Sequence, residues 1–343
     1  MVALRDQRPV VLAVLAAVVG AVAALVLGLL TFGVQATVHP HHVPLAVAVP
    51  ADAPPQLRGI ADKLTSTPSE EVAWRVTTPD EGRALLASDN VYGVLELAPG
   101  KATVVLSGAV NPSGTQVAQQ VLGAVAQGLG VQAQVVTLNP ASAAGRTAPL
   151  AASALLWIGG LAAGALFTAF AKRPGVGSRL LGAVTASVLG VGVVAGFLRL
   201  WDSSLPLNAQ VLGFLLLVAA AFALLQAGLL RLLGIRAMAI LGPLYLMAPA
   251  VAGQVPELLN PAYRAALWSW TPFRFSSEGL RDLLQGGAFD TTAIWVFAIM
   301  ALVGLAIVVS PGKKAEPDLA EGVVVVGVDQ ADRLPGAQRQ HTA

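Results

Sequence analysis

Residues 10–34, VVLAVLAAVVGAVAALVLGLLTFGV, carry no charged side chain, and every polar group in the run is small. A bilayer core takes about 20 helical residues to cross, so this run is long enough for one passage. A secretory signal has an apolar core of only about 7–15 residues. The alternative of a leader cleaved near Val34-Gln35-Ala36 is therefore disfavoured, and a retained anchor is expected. Beyond it lie about a hundred mostly polar residues, then five more apolar runs near 149–171, 180–200, 207–230, 236–252 and 292–310. None holds Asp, Glu or Lys, and Arg199 sits at a run's end, where its stem can reach the interface. The reading is an α-helical integral membrane protein with six transmembrane helices.

Composition agrees. Hydrophobic residues make up 55% of the chain and charged ones 12%, with a mean hydropathy of +0.71; an average soluble domain is about 25% charged. The net charge of +2 is small and scattered, unlike the basic, aromatic-studded face of a nucleic-acid binder. There is no cysteine, which removes disulfides, thiolate catalysis and cysteine metal sites together.

Basic residues near a span resist translocation. Arg5 and Arg8 precede the first run, Lys172, Arg173 and Arg179 lie between the second and third, Arg231 and Arg236 between the fourth and fifth, and Lys313 and Lys314 follow the sixth. All fall on one side if both termini are cytoplasmic. The opposite connections are balanced by acids: Asp202 near Arg199, and Glu257, Glu278, Asp282 and Asp290 against Arg264, Arg274 and Arg281. This divides the chain into a cytoplasmic N-terminus and first helix (1–37), an extracytoplasmic α/β domain (38–147), a five-helix membrane domain (148–312) and a disordered cytoplasmic tail (313–343). The tail's apolar patch, Val323 to Val326, has no physical account.

Within 38–147, β-branched runs alternate with polar helical patterns. Strands are expected at 43–49, 72–77, 91–97, 103–107 and 131–138, the third and fourth forming a hairpin around Pro99-Gly100; helices are expected at 54–64, 79–88 and 113–129. Clustered imidazoles bind zinc or copper, and His39, His41 and His42 are the one such cluster; without cysteines or a placeable acid they read better as a polar collar beside the membrane. Glu70-Glu71 and Asp80-Glu81 read as helix-terminal charges rather than an acid–base pair. Ser107, Ser113 and Thr115 lack the Gly-x-Ser-x-Gly setting of a nucleophile. The expectation is no catalytic, metal or cofactor site in this chain.

Ion-coupled transporters place ionisable groups within their spans, whereas Gln226 is the strongest polar group in these. Gly160 with Gly164, and Gly192 with Gly196, have the spacing that lets helices approach closely. Gly175-x-Gly177 and Gly128-x-Gly130 lack the third glycine of a dinucleotide loop. From 254 to 290 the chain is punctuated by Pro256, Pro261 and Pro272, with Trp268 and Trp270 suited to the headgroup layer. After Pro272, the residues Phe273, Ser277, Leu280 and Leu284 fall on one helical face, Arg274 and Glu278 form an i,i+4 pair, and Gly286-Gly287 ends the helix. An outer re-entrant or interfacial segment is expected, built on Pro272, Arg274, Glu278, Gly279, Arg281, Gly286 and Gly287.

A first span, a large outer insertion, five clustered spans and a Pro-containing segment closing in GLRDLLQGG (279–287) together resemble the type 2 ATP-binding-cassette exporter permeases. VPLAVAVP (43–50) and ALLASDNVYGVLELAPG (84–100) are similar to the strand openings and the Ala-rich helix of the phage-infection-protein-like branch. The resemblance covers most of residues 1–312. It implies an export permease for an apolar or amphipathic substrate, a homodimer or heterodimer in contact with membrane lipid, driven by a separate cytoplasmic ATPase that binds the ATP. The chain itself has no Gly-x4-Gly-Lys-Ser/Thr loop. By the same resemblance the coupling loop is Lys172, Arg173 and Arg179. The competing expectation is a non-transporting envelope scaffold or receptor whose outer domain binds a partner.

Overall fold

The structure is a computed structural model that describes residues 3–171 and 174–311. The tail after 311, with its patch at Val323 to Val326, lies outside the described residues, as do Lys172 and Arg173. Helix α1 (Ala3–Gly28) continues through a π-helical turn, Leu29–Gly33, into the short α2 (Val34–Ala36).

There follows a five-stranded sheet with its helices: β1 (Val43–Ala48), α3 (Pro55–Ser66), β2 (Val72–Thr77), α4 (Pro79–Ala87), β3 (Val94–Ala98), β4 (Lys101–Ser107), α5 (Pro112–Gly128) and β5 (Ala133–Leu138). The strand order is β2-β1-β3-β4-β5, parallel throughout except for the β3–β4 hairpin, which turns at Gly100 with φ of 67°. Parallel neighbours need crossover helices, which is why the β-branched runs alternate with helical ones. Helix starts are set locally by proline at the first position of α3, α4 and α5, where its missing N–H costs nothing. Thr78 and Glu81 form a reciprocal capping box on α4, so Glu81 serves that helix end. The inner strand β1 is buried on both faces, with Val43, Leu45, Ala46 and Val47 all inaccessible to solvent. Each buried Val or Leu stabilises the fold by about 1.5–3 kcal/mol.

The helical part comprises α6 (Ala143–Phe170), α7 (Val176–Trp201), α8 (Ala209–Leu233), a 3-10 turn at Gly234–Ala237 and α9 (Met238–Ala252). A connecting stretch follows with a 3-10 turn (Pro256–Leu258), α10 (Pro261–Tyr263) and a π turn (Arg264–Trp268). The chain ends its described part with α11 (Pro272–Gln285) and α12 (Thr292–Val309). Among the described residues, five stretches are long and apolar enough to cross a membrane: Ala13–Ala36, Ala143–Phe170, Val176–Trp201, Ala209–Ala252 and Thr292–Val309. Their outer faces expose Leu181, Leu189, Leu200, Trp295 and Leu302, each more than 60% accessible, a density of bare apolar surface that a water-facing protein does not carry. This is the pattern of a multi-pass membrane protein.

Contacts set the directions of these helices. Trp157 meets Phe222, Gly160 lies against Gln226 and Gly164 against Leu230, so α6 and α8 run parallel. Phe222 meets Phe297, Gly304 lies against Leu225 and Gly228 against Ile307, so α12 runs parallel to both. The stretch Ala209–Ala252 is 44 residues long, about 66 Å if straight and roughly twice a hydrocarbon core of about 30 Å. It is not straight. Gly234, at φ 59° and ψ −147°, occupies a region closed to residues with a Cβ, and the chain turns back there. The Leu241 carbonyl, in α9, then accepts a hydrogen bond from Trp157 Nε1 at mid-bundle, and the Ala250 carbonyl accepts one from Gln35 at the end of α2.

Of the two glycine pairs expected to pack helices, only the first meets another helix within this chain. A Cβ on Gly160 would lie 2.6 Å from Gln226 Oε1 and one on Gly164 2.8 Å from Leu230 Cδ1, but Gly192 and Gly196 have nothing within 4 Å. That second pair faces outward. The tightest approach of a glycine to the backbone of another helix involves Gly304, where a Cβ would sit 2.5 Å from the Leu225 backbone nitrogen.

Candidate functional site

Helix α11 is the element that organises the site. Pro272 opens it and Gly286, left-handed at φ 72°, closes it, its N–H donating to the Asp282 carbonyl. At its N-terminal end Phe273 is fully buried between Trp157 and Phe222, halfway along α6 and α8. At its other end the Gln285 amide donates to the Gly145 carbonyl, at the first turn of α6. The helix thus covers about 21 Å inside one half of the bundle and leaves by the end it came from. Ser276 donates to Ser153 across the interface with α6, and Gly279 admits Phe214, whose ring would be 2.8 Å from a Cβ there.

The stretch before α11 ties the bundle to the sheet. Val255 and Leu258 are buried in the core of the sheet unit. Tyr92, just before β3, donates to Glu257 at 2.7 Å, and the Val255 N–H donates to Ser113 at 3.1 Å. The histidine run serves the same junction: the N–H groups of His39 and His41 donate to the carbonyls of Leu258 and Glu257. The rings of His39 and His41 meet edge to face at 5.3 Å. No group of three or more His, Cys, Asp or Glu side chains converges as a metal site among the described residues.

Between the sheet unit and the last turns of α11 lies a cavity of about 250 Å³. Its walls include Asp89 and Tyr92 from the sheet unit, Glu278, Arg281 and Asp282 from α11, and Asp290 from the turn into α12. Arg281 is only 6% exposed, its Nε is buried without a partner, and it makes no ion pair among the described residues. Burial pulls its guanidinium below the usual range, with Glu278 and Asp282 opposing. Burial likewise pushes Asp282 up to about 7, and the nearby Asp89 adds to it. Withdrawal from water pushes Asp89, at the cavity rim, up to about 6 against the pull of Arg281. Glu278 is raised by burial and eased by Arg274, its ion-pair partner at 3.5 Å. The Arg274 guanidinium is also sandwiched by Trp268 and Phe275, at 3.9 Å from each ring centre.

The residues read from the sequence as the outer segment thus fall into one helix and its cap. Their partners Asp89, Tyr92 and Glu257 carry no spacing that links them to α11; only the fold brings them there. At the far end of the bundle, Arg179 lines a small apolar cavity of about 140 Å³ with Gly160, Gly164 and Ala223. The other two residues of the expected coupling loop, Lys172 and Arg173, lie outside the described residues. Arg231 donates to the carbonyls of Ile307 and Val308, closing the C-terminal end of α12.

No protein-family model, no curated protein and no solved structure matches the chain.

Proposed function

We propose that the chain is the membrane-spanning subunit of an ATP-driven exporter of the type 2 ATP-binding-cassette class, moving an apolar or amphipathic substrate outward. It crosses the bilayer six times, α8 and α9 being separate passages joined at Gly234. The sheet unit is extracytoplasmic and both termini are cytoplasmic. Arg179, Arg231 and Arg236 all belong to the end of the bundle away from the sheet, which supports this orientation through the retention of basic residues inside. Trp201, Trp270 and Trp295 belong to the sheet end and are at least half exposed, as an interfacial belt requires.

The observation that carries the reading is α11, a helix that enters the bundle to half its depth and returns, clamped from outside by the sheet unit. A rigid anchor has no use for a short helix whose buried end plugs the centre of the bundle. An exporter does, because such an element closes the outward path until the helices around it shift. Energy enters from a separate ATPase subunit at the opposite end, around Arg179, and the active form is a dimer. The test is purification from the native membrane followed by reconstitution. An ATPase that co-purifies, and vanadate-sensitive transport of an amphiphile, are the expected results; a pure chain that neither binds nor stimulates any ATPase points instead to the envelope scaffold.

A further inference from the structure

The cavity between the sheet unit and α11 presents two unmet demands at once. Arg281 is more than nine-tenths buried and lacks an anionic partner among the described residues. Facing the same space are four carboxylates, Asp89, Glu278, Asp282 and Asp290, of which Glu278 is matched by Arg274. A buried guanidinium whose nearby carboxylates all lie beyond ion-pair distance is expensive unless something completes it. A simple anion would complete Arg281 but add to the acids, and a simple cation would do the reverse. The volume of about 250 Å³ is far above the roughly 15 Å³ needed for one water, so it has room for a small molecule.

We infer that this cavity binds a zwitterion, an ammonium joined by a short spacer to an oxyanion, with the oxyanion against Arg281 and the ammonium among Asp89, Asp282 and Asp290. A guanidinium paired to phosphate or carboxylate is a strong charge-assisted contact, and the ammonium supplies three donors to the carboxyl groups of Asp89, Asp282 and Asp290, the last of which already accepts from the Thr292 N–H. The same chemistry occurs in a phosphatidylethanolamine headgroup and in free phosphoethanolamine. The membrane placement proposed above matters only to the lipid as a source, because it sets the cavity at the outer surface. Binding is measured without any ATPase, so its failure and the failure of the exporter reading are separate results.

The experiment is calorimetric titration of the full chain in a neutral maltoside detergent. The probes are dihexanoyl phosphatidylethanolamine, phosphoethanolamine, glycerol phosphate as the anion alone and ethanolamine as the cation alone. At least one zwitterion saturates, at least tenfold tighter than either half. Binding of the lipid but not phosphoethanolamine identifies a membrane source; binding of both identifies the headgroup as sufficient. Asp89→Asn and Asp290→Asn, at exposed positions, each weaken binding several-fold, and Arg281→Gln abolishes it. Ala288→Trp, on an exposed wall residue, fills the space and blocks binding even if Arg281→Gln fails to fold. No saturation by either zwitterion, equal affinity for glycerol phosphate or ethanolamine, or unchanged affinity in Ala288→Trp overturns the inference.

Discussion

Tyr92 and Glu257, 165 residues apart in sequence, share a hydrogen bond of 2.7 Å that joins the sheet unit to the loop after α9. The Tyr92 hydroxyl is held well above the ordinary phenol range, first by burial and then by the Glu257 charge, so it stays a donor. Its ring fits because position 114 is glycine; a Cβ there would lie 2.5 Å from the ring. Tyr92→Phe removes one charge-assisted hydrogen bond and lowers stability by about 1.5–3 kcal/mol. Thermal unfolding in detergent, with faster amide exchange at 254–260, is the expected readout. An unchanged midpoint together with unchanged exchange would show that the His39, His41 and Val255 backbone bonds and the buried Val255 and Leu258 hold the junction without Tyr92.

Gly304 is the point where α12 and α8 come closest. An added methyl would sit 2.5 Å from Leu225 N and 2.6 Å from Leu224 C. These are backbone atoms of a helix and cannot swing aside. Gly304→Ala therefore costs about 1–3 kcal/mol, the usual penalty for overpacking. Gly192→Ala, with nothing within 4 Å, replaces glycine in a helix by a better helix former and leaves stability unchanged or slightly higher. Melting of the two variants side by side separates packing from propensity.

Asp282 gives the fold a pH dependence of definite sign. Its carboxyl, pushed from 3.8 up to about 7 by burial, keeps its proton in the folded state over a range where the unfolded chain has lost it. Stability from this group is complete below about 4 and declines as pH rises through about 7. Asp282→Asn removes the larger part of this slope. Its advantage over the unaltered chain grows between pH 5 and pH 8 to more than about 1 kcal/mol, since a tenfold change in proton affinity on folding corresponds to about 1.4 kcal/mol. Parallel pH titrations of the melting temperature read it directly, and parallel curves would contradict it.

The contrast between what could and could not be foreseen follows from the range of each signal. The strands and helices of the sheet unit are local: β-branched runs, a proline at each helix start, Gly100 at the hairpin. Helix α11 is equally local, since Pro272 fixes its first turn and Gly286 its last, and the predicted Arg274–Glu278 pair forms at 3.5 Å. The cavity was not legible, because Asp89, Glu257 and Arg281 come from distant segments and no periodicity connects them. Glycine packing is only partly legible for the same reason. Gly192 and Gly196 make a motif within one helix, whereas the contact that matters pairs Gly304 with the Leu224–Leu225 backbone of another helix. The run 236–252 is visible as a sixth apolar segment, yet only the positive φ of Gly234 shows that the chain turns back there rather than extending α8.

The absence of cysteine makes the proposed topology directly measurable, because each introduced thiol is the only one in the chain. Asp52, in the sheet unit, and Ser178 and Arg236, at the far end of the bundle, are all exposed. With six passages, Asp52→Cys reacts with a membrane-impermeant maleimide in intact cells, while Ser178→Cys and Arg236→Cys react only after permeabilisation. Arg236 is the decisive position. If α8 and α9 formed one tilted passage, residue 236 would lie beyond the middle of a 44-residue stretch, buried in hydrocarbon where a thiol stays un-ionised and unreactive on either side. Labelling of Arg236→Cys in step with Ser178→Cys therefore establishes the reversal at Gly234. Protection of Arg236→Cys under both conditions, or labelling of Asp52→Cys only from inside, would remove the basis for outward transport through this bundle.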